Sequence, residues 1–272
     1  MPKSKERLDI LLVKKGLAPS RVKAKAAIMA GQVFVQGQRM DKPGAAFEED
    51  VALELRGERL PFVSRGGLKL AKAINVFGLS FQGAVVADIG ASTGGFTDCV
   101  LQNGACKVYA IDVGYGQLDW KLRSDPRVVV MERTNARFLT RASLPEQVDW
   151  VVSDVSFISV TKIFPAMLEI LGPKGQVMVL IKPQFEAGRE NVGKKGVVKE
   201  PAVHADVVAA VLSAAEALGL AVRGLDYSPI RGPEGNIEYL AWLGRSASQG
   251  ACTVDWRGRV AAVVRHAHQG AD

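Results

Sequence analysis

Four apolar runs of the sequence each end in an ionisable side chain: "AVVAD" in Asp88, "KVYAID" in Asp112, "VDWVVSD" in Asp154 and "QVMVLIK" in Lys182. The runs have the β-branched texture of strands buried on both faces of a parallel sheet. One charged strand end is ordinary solvation. Four at the same edge predict a polar cleft, because open parallel sheets bind ligands beyond the carboxyl ends of their strands. Lys69 belongs at that edge too. It lies in the first turn of the helix expected over "RGGLKLAKAINVFG", and a helix that precedes the first strand runs antiparallel to it. Two lysines near carboxylates suit proton transfer. A lysine titrates ordinarily at roughly 10.4 and serves as a base when tuned to about 7–8. Burial and a neighbouring cation favour the neutral amine, while carboxylates oppose that shift and orient it.

The loop "DIGASTGGFTD" follows the first strand. Its Gly90, Gly94 and Gly95 let backbone approach a ligand at a helix N-terminus. The spacing G-x-x-x-G-G is not the dinucleotide fingerprint G-x-G-x-x-G, and no G-K-[ST] follows to make a phosphate loop. Asp112, ending the second strand, suits a bidentate grip on ribose hydroxyls. An acidic strand end, a glycine loop and a second acidic strand end together predict an S-adenosylmethionine site; an NAD site is the alternative. The expected cofactor contacts are Asp88, Gly90, Ser92, Gly94, Gly95, Phe96, Asp112, Val113, Asn135 and Asp154. No metal is expected. The three cysteines lack ligand spacing, and His266 with His268 is a weak pair for one.

These residues need a scaffold, and from Lys69 onward the chain supplies it. Five apolar runs are separated by stretches long enough for helices, the mark of a doubly wound parallel sheet. A helix over 201–219 and two further strands, "AVRGLDYSPI" and "IEYLAWL", complete it. Residues 1–60 read differently, as helix, helix and hairpin. Ser20 caps the second helix, and Val22, Ala26 and Met29 are expected on its buried face. Residues 1–40 hold nine Lys/Arg and two Asp/Glu, whereas residues 41–272 hold twenty-six of each, so the whole net charge of +7 sits at the start. A basic module on a neutral body is the footprint of a nucleic-acid binder. The expected boundaries are 1–60, a linker at 61–67, a catalytic domain at 68–246 and a tail at 247–272. No run of eighteen apolar residues suggests a membrane span. Sparse, odd cysteines and a charged start without an apolar h-region fit a cytoplasmic protein.

The stretch "RLDILLVKKGLAPSRVKAKAAIMAGQVFVQGQRMDKPG" resembles the S4-like RNA-binding domain. The resemblance implies RNA contacts at Arg7, Arg21, Lys25 and Lys42. Downstream, "GGLKL", "SDVSFIS", "LIKPQFE" and "GNIEYL" resemble the FtsJ-like ribose 2′-O-methyltransferases, whose tetrad runs Lys-Asp-Lys-Glu in chain order. The seventh strand of such sheets is antiparallel, so Glu238, at the start of "IEYLAWL", reaches the same edge as Lys69, Asp154 and Lys182. The two halves together resemble the TlyA family, which methylates ribosomal RNA and carries a haemolysin label. That implies a Rossmann-like seven-stranded domain behind a small α+β domain. It also implies transfer of a methyl group from S-adenosylmethionine to a ribose 2′-hydroxyl of ribosomal RNA, with cytidine as the nucleoside. On this reading Lys182 is the general base, Lys69 places the hydroxyl, Asp154 orients Lys182 and Glu238 holds Lys69. Which lysine takes the proton is a coupled question.

Two absences agree with an oxygen target. "DVSF" stands where amino-directed enzymes carry N-P-P-Y, and neither strand end offers the cysteine a carbon-methylating nucleophile would need. Arg133 and Asn135, after the third strand, are placed to meet substrate or adenine. Phe157 is either a stacking platform or core. The loop "EAGRENVGKKGVVK" is suited to closing over RNA or is plain surface. The expected partners are ribosomal RNA and ribosomal subunits, with no membrane and a monomeric protein. A non-catalytic ribosome-assembly factor and a membrane-lytic protein remain as rivals.

Overall fold

The computed structural model describes residues 5–29, 31–55, 60–245 and 254–270. The chain divides into two compact units, Met1–Arg59 and Leu60–Asp272.

In the first unit, β1 (Lys5–Arg7) leads into α1 (Leu8–Lys14), followed by α2 (Arg21–Met29), β2 (Val33–Val35), β3 (Gln38–Met40), β4 (Ala46–Glu48) and β5 (Leu53–Leu55). β1 pairs antiparallel with β4, and β2 lies between β3 and β5 in a three-stranded antiparallel sheet. The Ser20 hydroxyl accepts the Lys23 N–H at 3.3 Å, capping α2 as its sequence predicts. The buried face of α2 is not the expected one. Ala24 and Ile28 are fully buried against Leu8, Leu11, Leu12 and Val33, whereas Val22 and Met29 are 76% and 72% exposed. The side chain of Ala26 lies outside the described residues. α2 packs directly on α1, and a small Ala24 allows a close approach that the larger side chains would prevent.

The second unit contains α3 (Gly66–Phe77), β6 (Val85–Ile89), α4 (Gly95–Gln102), β7 (Lys107–Ile111), α5 (Trp120–Arg123), β8 (Val128–Met131), β9 (Val148–Ser153) and α6 (Phe164–Ile170). Then come β10 (Leu171–Ile181), α7 (Pro183–Glu186), α8 (Pro201–Ala217), β11 (Leu220–Tyr227), β12 (Tyr239–Arg245) and α9 (Trp256–Gly270). The seven strands order as β11-β12-β10-β9-β6-β7-β8. Six strands share one direction, and β12 runs antiparallel to both of its neighbours, β10 and β11. This is the Rossmann-like methyltransferase sheet that the strand pattern and resemblance predict. Each inner strand is apolar on both sides because helices cover both faces. One core lies under α6, α8 and α9, the other under α3 and α4.

Two features position the site. The strand order reverses between β6 and β9, opening the crevice where doubly wound sheets take ligands. The antiparallel β12 begins at the carboxyl edge and so delivers Glu238, the residue before it, to that crevice. The segment expected as a tail holds α9. Its Trp256, Val260, Val264 and Ala267 are buried against α8 and β11.

Candidate active site

Four chain segments bring Lys69, Asp154, Lys182 and Glu238 together. Lys69 Nζ lies 3.0 Å from Asp154 Oδ2 and 2.7 Å from Glu238 Oε2. Lys182 Nζ lies 2.5 Å from Asp154 Oδ1. Asp154 thus bridges the two amines, one to each carboxylate oxygen, and Glu238 holds Lys69 from the far side. The two lysines are 7% and 6% exposed and Glu238 is 2% exposed, so the ion pairs work at reduced dielectric and are strengthened by it. Burial opposes the charge on Lys69, but Asp154 and Glu238 outweigh it and hold its pKa above the ordinary lysine value. Burial likewise favours a neutral Asp154, yet Lys69 and Lys182 hold it below the usual carboxylate range. The quartet is therefore two charge-paired amines of unequal kind. Lys69 has two carboxylates. Lys182 has one, together with the Ser156 hydroxyl, which accepts from Nζ at 2.9 Å. Sequence reasoning missed Ser156; its place two residues after Asp154 in a strand-end loop was the available signal.

The quartet lines a cavity of about 440 Å³ together with Gly90, Ser92, Gly95, Phe96, Ser156 and Arg231. A second cavity of about 490 Å³ adjoins it, sharing Gly90, Ser92, Asp154 and Ser156. Ile89, Ile111, Ala136, Ile158 and Ile163 give the second cavity apolar walls, while Asp112, Thr134 and Asn135 give it polar ones. Asp112 Oδ2 accepts the Ser92 N–H at 2.8 Å and Oδ1 accepts the Gly114 N–H at 2.7 Å. A carboxylate has about four acceptor positions, so two remain for ribose hydroxyls. Gly90 has φ +85°, and a Cβ there would come within 3.1 Å of the Asp154 carbonyl oxygen. Only glycine keeps that passage between loop and strand open. An apolar slot with a partly open carboxylate on its wall has the chemistry to fit a nucleoside-bearing cofactor.

Not all of the expected cofactor contacts line the second cavity. Gly90, Ser92, Asp112, Val113, Asn135 and Asp154 do, whereas Gly95 and Phe96 line the quartet's cavity. Asp88 lies in neither: it is fully buried, its Oδ2 accepting from the Thr97 hydroxyl at 2.6 Å. Through that bond it anchors the first turn of α4. Gly94 also stays away from both. A Cβ there would strike Leu122 at 2.2 Å and Leu118 at 2.8 Å, so its place is one of packing.

Phe157 lines the second cavity, and the other candidates line neither. Phe157 is 92% exposed, which excludes core, and it holds φ +64°. A non-glycine residue there costs roughly 1–2 kcal/mol, and such strain gathers at functional sites. Its ring lies 5.2 Å from that of Phe185. Arg133, with φ +53°, sets its guanidinium 4.3 Å from the ring centre of the exposed Tyr115. In the first unit, Asp9 is fully buried and clasps two candidates, Arg7 at 2.9 Å and Arg21 at 3.1 Å. Lys25 and Lys42 are exposed. The loop 186–199 is fixed at its far end. Val198 donates to Asn236 Oδ1 at 3.1 Å, and its carbonyl lies 3.0 Å from His204 Nε2, which must be the protonated nitrogen since a carbonyl only accepts.

Residues 62–245 match a family described as FtsJ-like methyltransferase, and residues 6–49 match the S4 domain. The chain is 54% identical over 244 residues to a Bacillus subtilis protein named "Putative rRNA methyltransferase YqxC", covering 89% of this chain and 87% of that one. It is 46% identical over 238 residues to the Mycobacterium tuberculosis (strain H37Rv) protein named 16S/23S rRNA (cytidine-2′-O)-methyltransferase TlyA, covering 87% and 89%. Among solved structures, a "Putative hemolysin" from Streptococcus thermophilus is 48% identical with a TM-score of 0.78, covering 98% of this chain and 96% of that one.

Proposed function

The chain belongs to the TlyA family of FtsJ-like methyltransferases with an S4 domain, and from that membership we propose that it methylates a ribose 2′-hydroxyl of ribosomal RNA with S-adenosylmethionine as donor. The observation that carries the proposal is the pairing of two buried lysines across Asp154 at the junction of the two cavities. A ribose hydroxyl is a poor nucleophile until it loses its proton. Lys69, between two carboxylates, holds its own proton more tightly than a free lysine. It is suited to donating a hydrogen bond to the substrate oxygen. Lys182 is the proposed general base and receives the hydroxyl proton at Nζ. Asp154 aligns both amines, and Glu238 fixes Lys69. Asp112 and Asn135 in the second cavity would hold S-adenosylmethionine, which would supply an electrophilic methyl carried by sulfur.

The proposed nucleoside is cytidine, the one in the name of the M. tuberculosis relative. Phe157, exposed on the wall of the second cavity, offers a ring on which a splayed base stacks, and Arg133 is proposed as a further RNA contact. Arg7, Arg21, Lys25 and Lys42 are proposed to dock phosphate. On this proposal the protein works in the cytoplasm, as a monomer, on ribosomal RNA or assembled subunits.

The test uses radiolabelled methyl donor and ribosomal subunits from cells lacking the protein. Label at an alkali-resistant position is expected with the wild-type protein. Lys182→Ala should reduce kcat about 10²–10⁴-fold, the usual contribution of a general base, with the KM for S-adenosylmethionine little changed. Tight RNA binding without any transfer, to either subunit or to free RNA, would leave a ribosome-assembly factor as the function.

A further inference from the structure

Among the described residues, Ser156 is the uncharged hydrogen-bond partner of Lys182. Its Oγ sits 2.9 Å from Lys182 Nζ, against 2.5 Å for Asp154 Oδ1. It is also one of the few residues that line both cavities. An ammonium has three N–H donors; the neutral amine that acts as a base has two, and a lone pair. An amine held by Asp154 alone spins about its Cε–Nζ bond, and its lone pair sweeps through unproductive directions. A second fixed acceptor ends that freedom. One N–H then goes to Ser156, the Asp154 carboxylate attracts the amine from 2.5 Å away, and the lone pair takes the direction left over, toward the cavity that Lys182 lines.

We infer that Ser156 is a positioning residue, fixing the rotation of the Lys182 amine so that its lone pair meets the substrate hydroxyl. The inference rests on the proposed role of Lys182. A carboxylate at this position would hold the amine equally well but would add a second negative charge, and Lys69 shows the result: two carboxylates hold its proton in place. A hydroxyl gives the same geometric restraint without that charge. Accepting from Lys182 also turns the hydrogen of Ser156 away from the amine, so it does not occupy the lone pair.

The experiment compares full-length wild type, Ser156→Ala and Ser156→Thr with Lys182→Ala as reference. Ser156→Ala should reduce kcat about 10–100-fold, the scale of a misplaced catalytic group, with the KM for donor and for RNA and the Tm unchanged. Ser156→Thr, which keeps the hydroxyl, should restore most of kcat. In the cofactor-free protein, ¹⁵N relaxation of the Lys182 amine should show freer rotation in Ser156→Ala and wild-type order in Ser156→Thr. An unchanged kcat in Ser156→Ala, a loss that appears in KM, a threonine variant as poor as alanine, or unchanged amine rotation would each overturn the inference. If Lys182→Ala abolishes ribose labelling while Ser156→Ala matches wild type, this inference alone fails. If the wild type labels no ribose, the proposed function fails and takes this inference with it.

Discussion

Neighbouring carboxylates at the edge of one sheet receive opposite treatment from their surroundings. Asp154 has the amines of Lys69 and Lys182 as partners and is held ionised. Asp88, one strand away, has among the described residues the Thr97 hydroxyl and N–H as partners, and burial pushes its carboxyl up to about 7. Its second oxygen is buried without a partner, as suits a protonated acid better than an anion. The consequence for stability has a definite sign. Between about pH 4 and pH 7 the folded protein keeps this proton while the unfolded chain has released it, so stability falls as pH rises through that window. A shift from 3.8 to about 7 corresponds to on the order of 4 kcal/mol. Asp88→Asn keeps an acceptor for Thr97 and removes the titration. Denaturant unfolding at pH 5 and pH 8 should therefore show the variant gaining on wild type at the higher pH. An equal pH dependence in the two proteins would show that Asp88 is ionised throughout.

At the scale of elements, the cleft depends on how closely two helix starts approach. A Cβ at Gly95, the first residue of α4, would lie 2.8 Å from the Gly67 nitrogen and 3.2 Å from the Gly66 Cα of α3, as well as 2.4 Å from Ser64 Oγ. Backbone meets backbone there. The paired glycines of "RGGLKL" and "STGGF" are thus a contact surface, and Lys69 rides on one side of it two residues beyond Gly67. Gly95→Ala should force α3 outward, costing about 1–3 kcal/mol as overpacking does. Moving Lys69 by an ångström should cost up to about 10²-fold in kcat. Thermal melting and turnover should fall together; lost stability with intact turnover would mean that α3 and its lysine stay in place. The loop 186–199 also differs from a free lid, since Asn236 and His204 pin Val198. Any closure over RNA is left to its nearer part.

For the molecule as a whole, charge is divided as function would require. The excess of seven positive charges lies within the first forty residues, and in that unit the buried Asp9 orders two of the cations. Lys25 and Lys42 stand exposed. Binding through phosphates releases counterions, so affinity for ribosomal RNA should fall steeply with salt. Lys25→Ala and Lys42→Ala should each lower the slope of log affinity against log salt by about 1, with the affinity for S-adenosylmethionine unchanged. A flat salt response of the wild type would refute phosphate docking by these residues.

Much of this architecture is legible in the sequence, because strand periodicity, glycine spacing and the charge at a strand's end are local properties. They suffice for the doubly wound sheet, the carboxyl-edge cleft and the convergence of Lys69, Asp154 and Lys182 upon it. The place of Glu238 needed a resemblance as well, since nothing local makes β12 antiparallel. Desolvation and the choice of buried face are not local. Val22 and Met29 looked like core by size, but α1 takes α2 on its Ala24 face. Asp88 and Asp112 look alike as acidic strand ends, yet one is sealed beneath α4 and the other opens on a cavity. Ser156 has only its place two residues after Asp154 as a signal, and its role shows once the end of β10 sets Lys182 beside it. The sequence by itself determined which groups reach the edge of the sheet. Only the tertiary structure decided which of them share a solvent-poor volume, because burial and pairing depend on atoms contributed by distant parts of the chain.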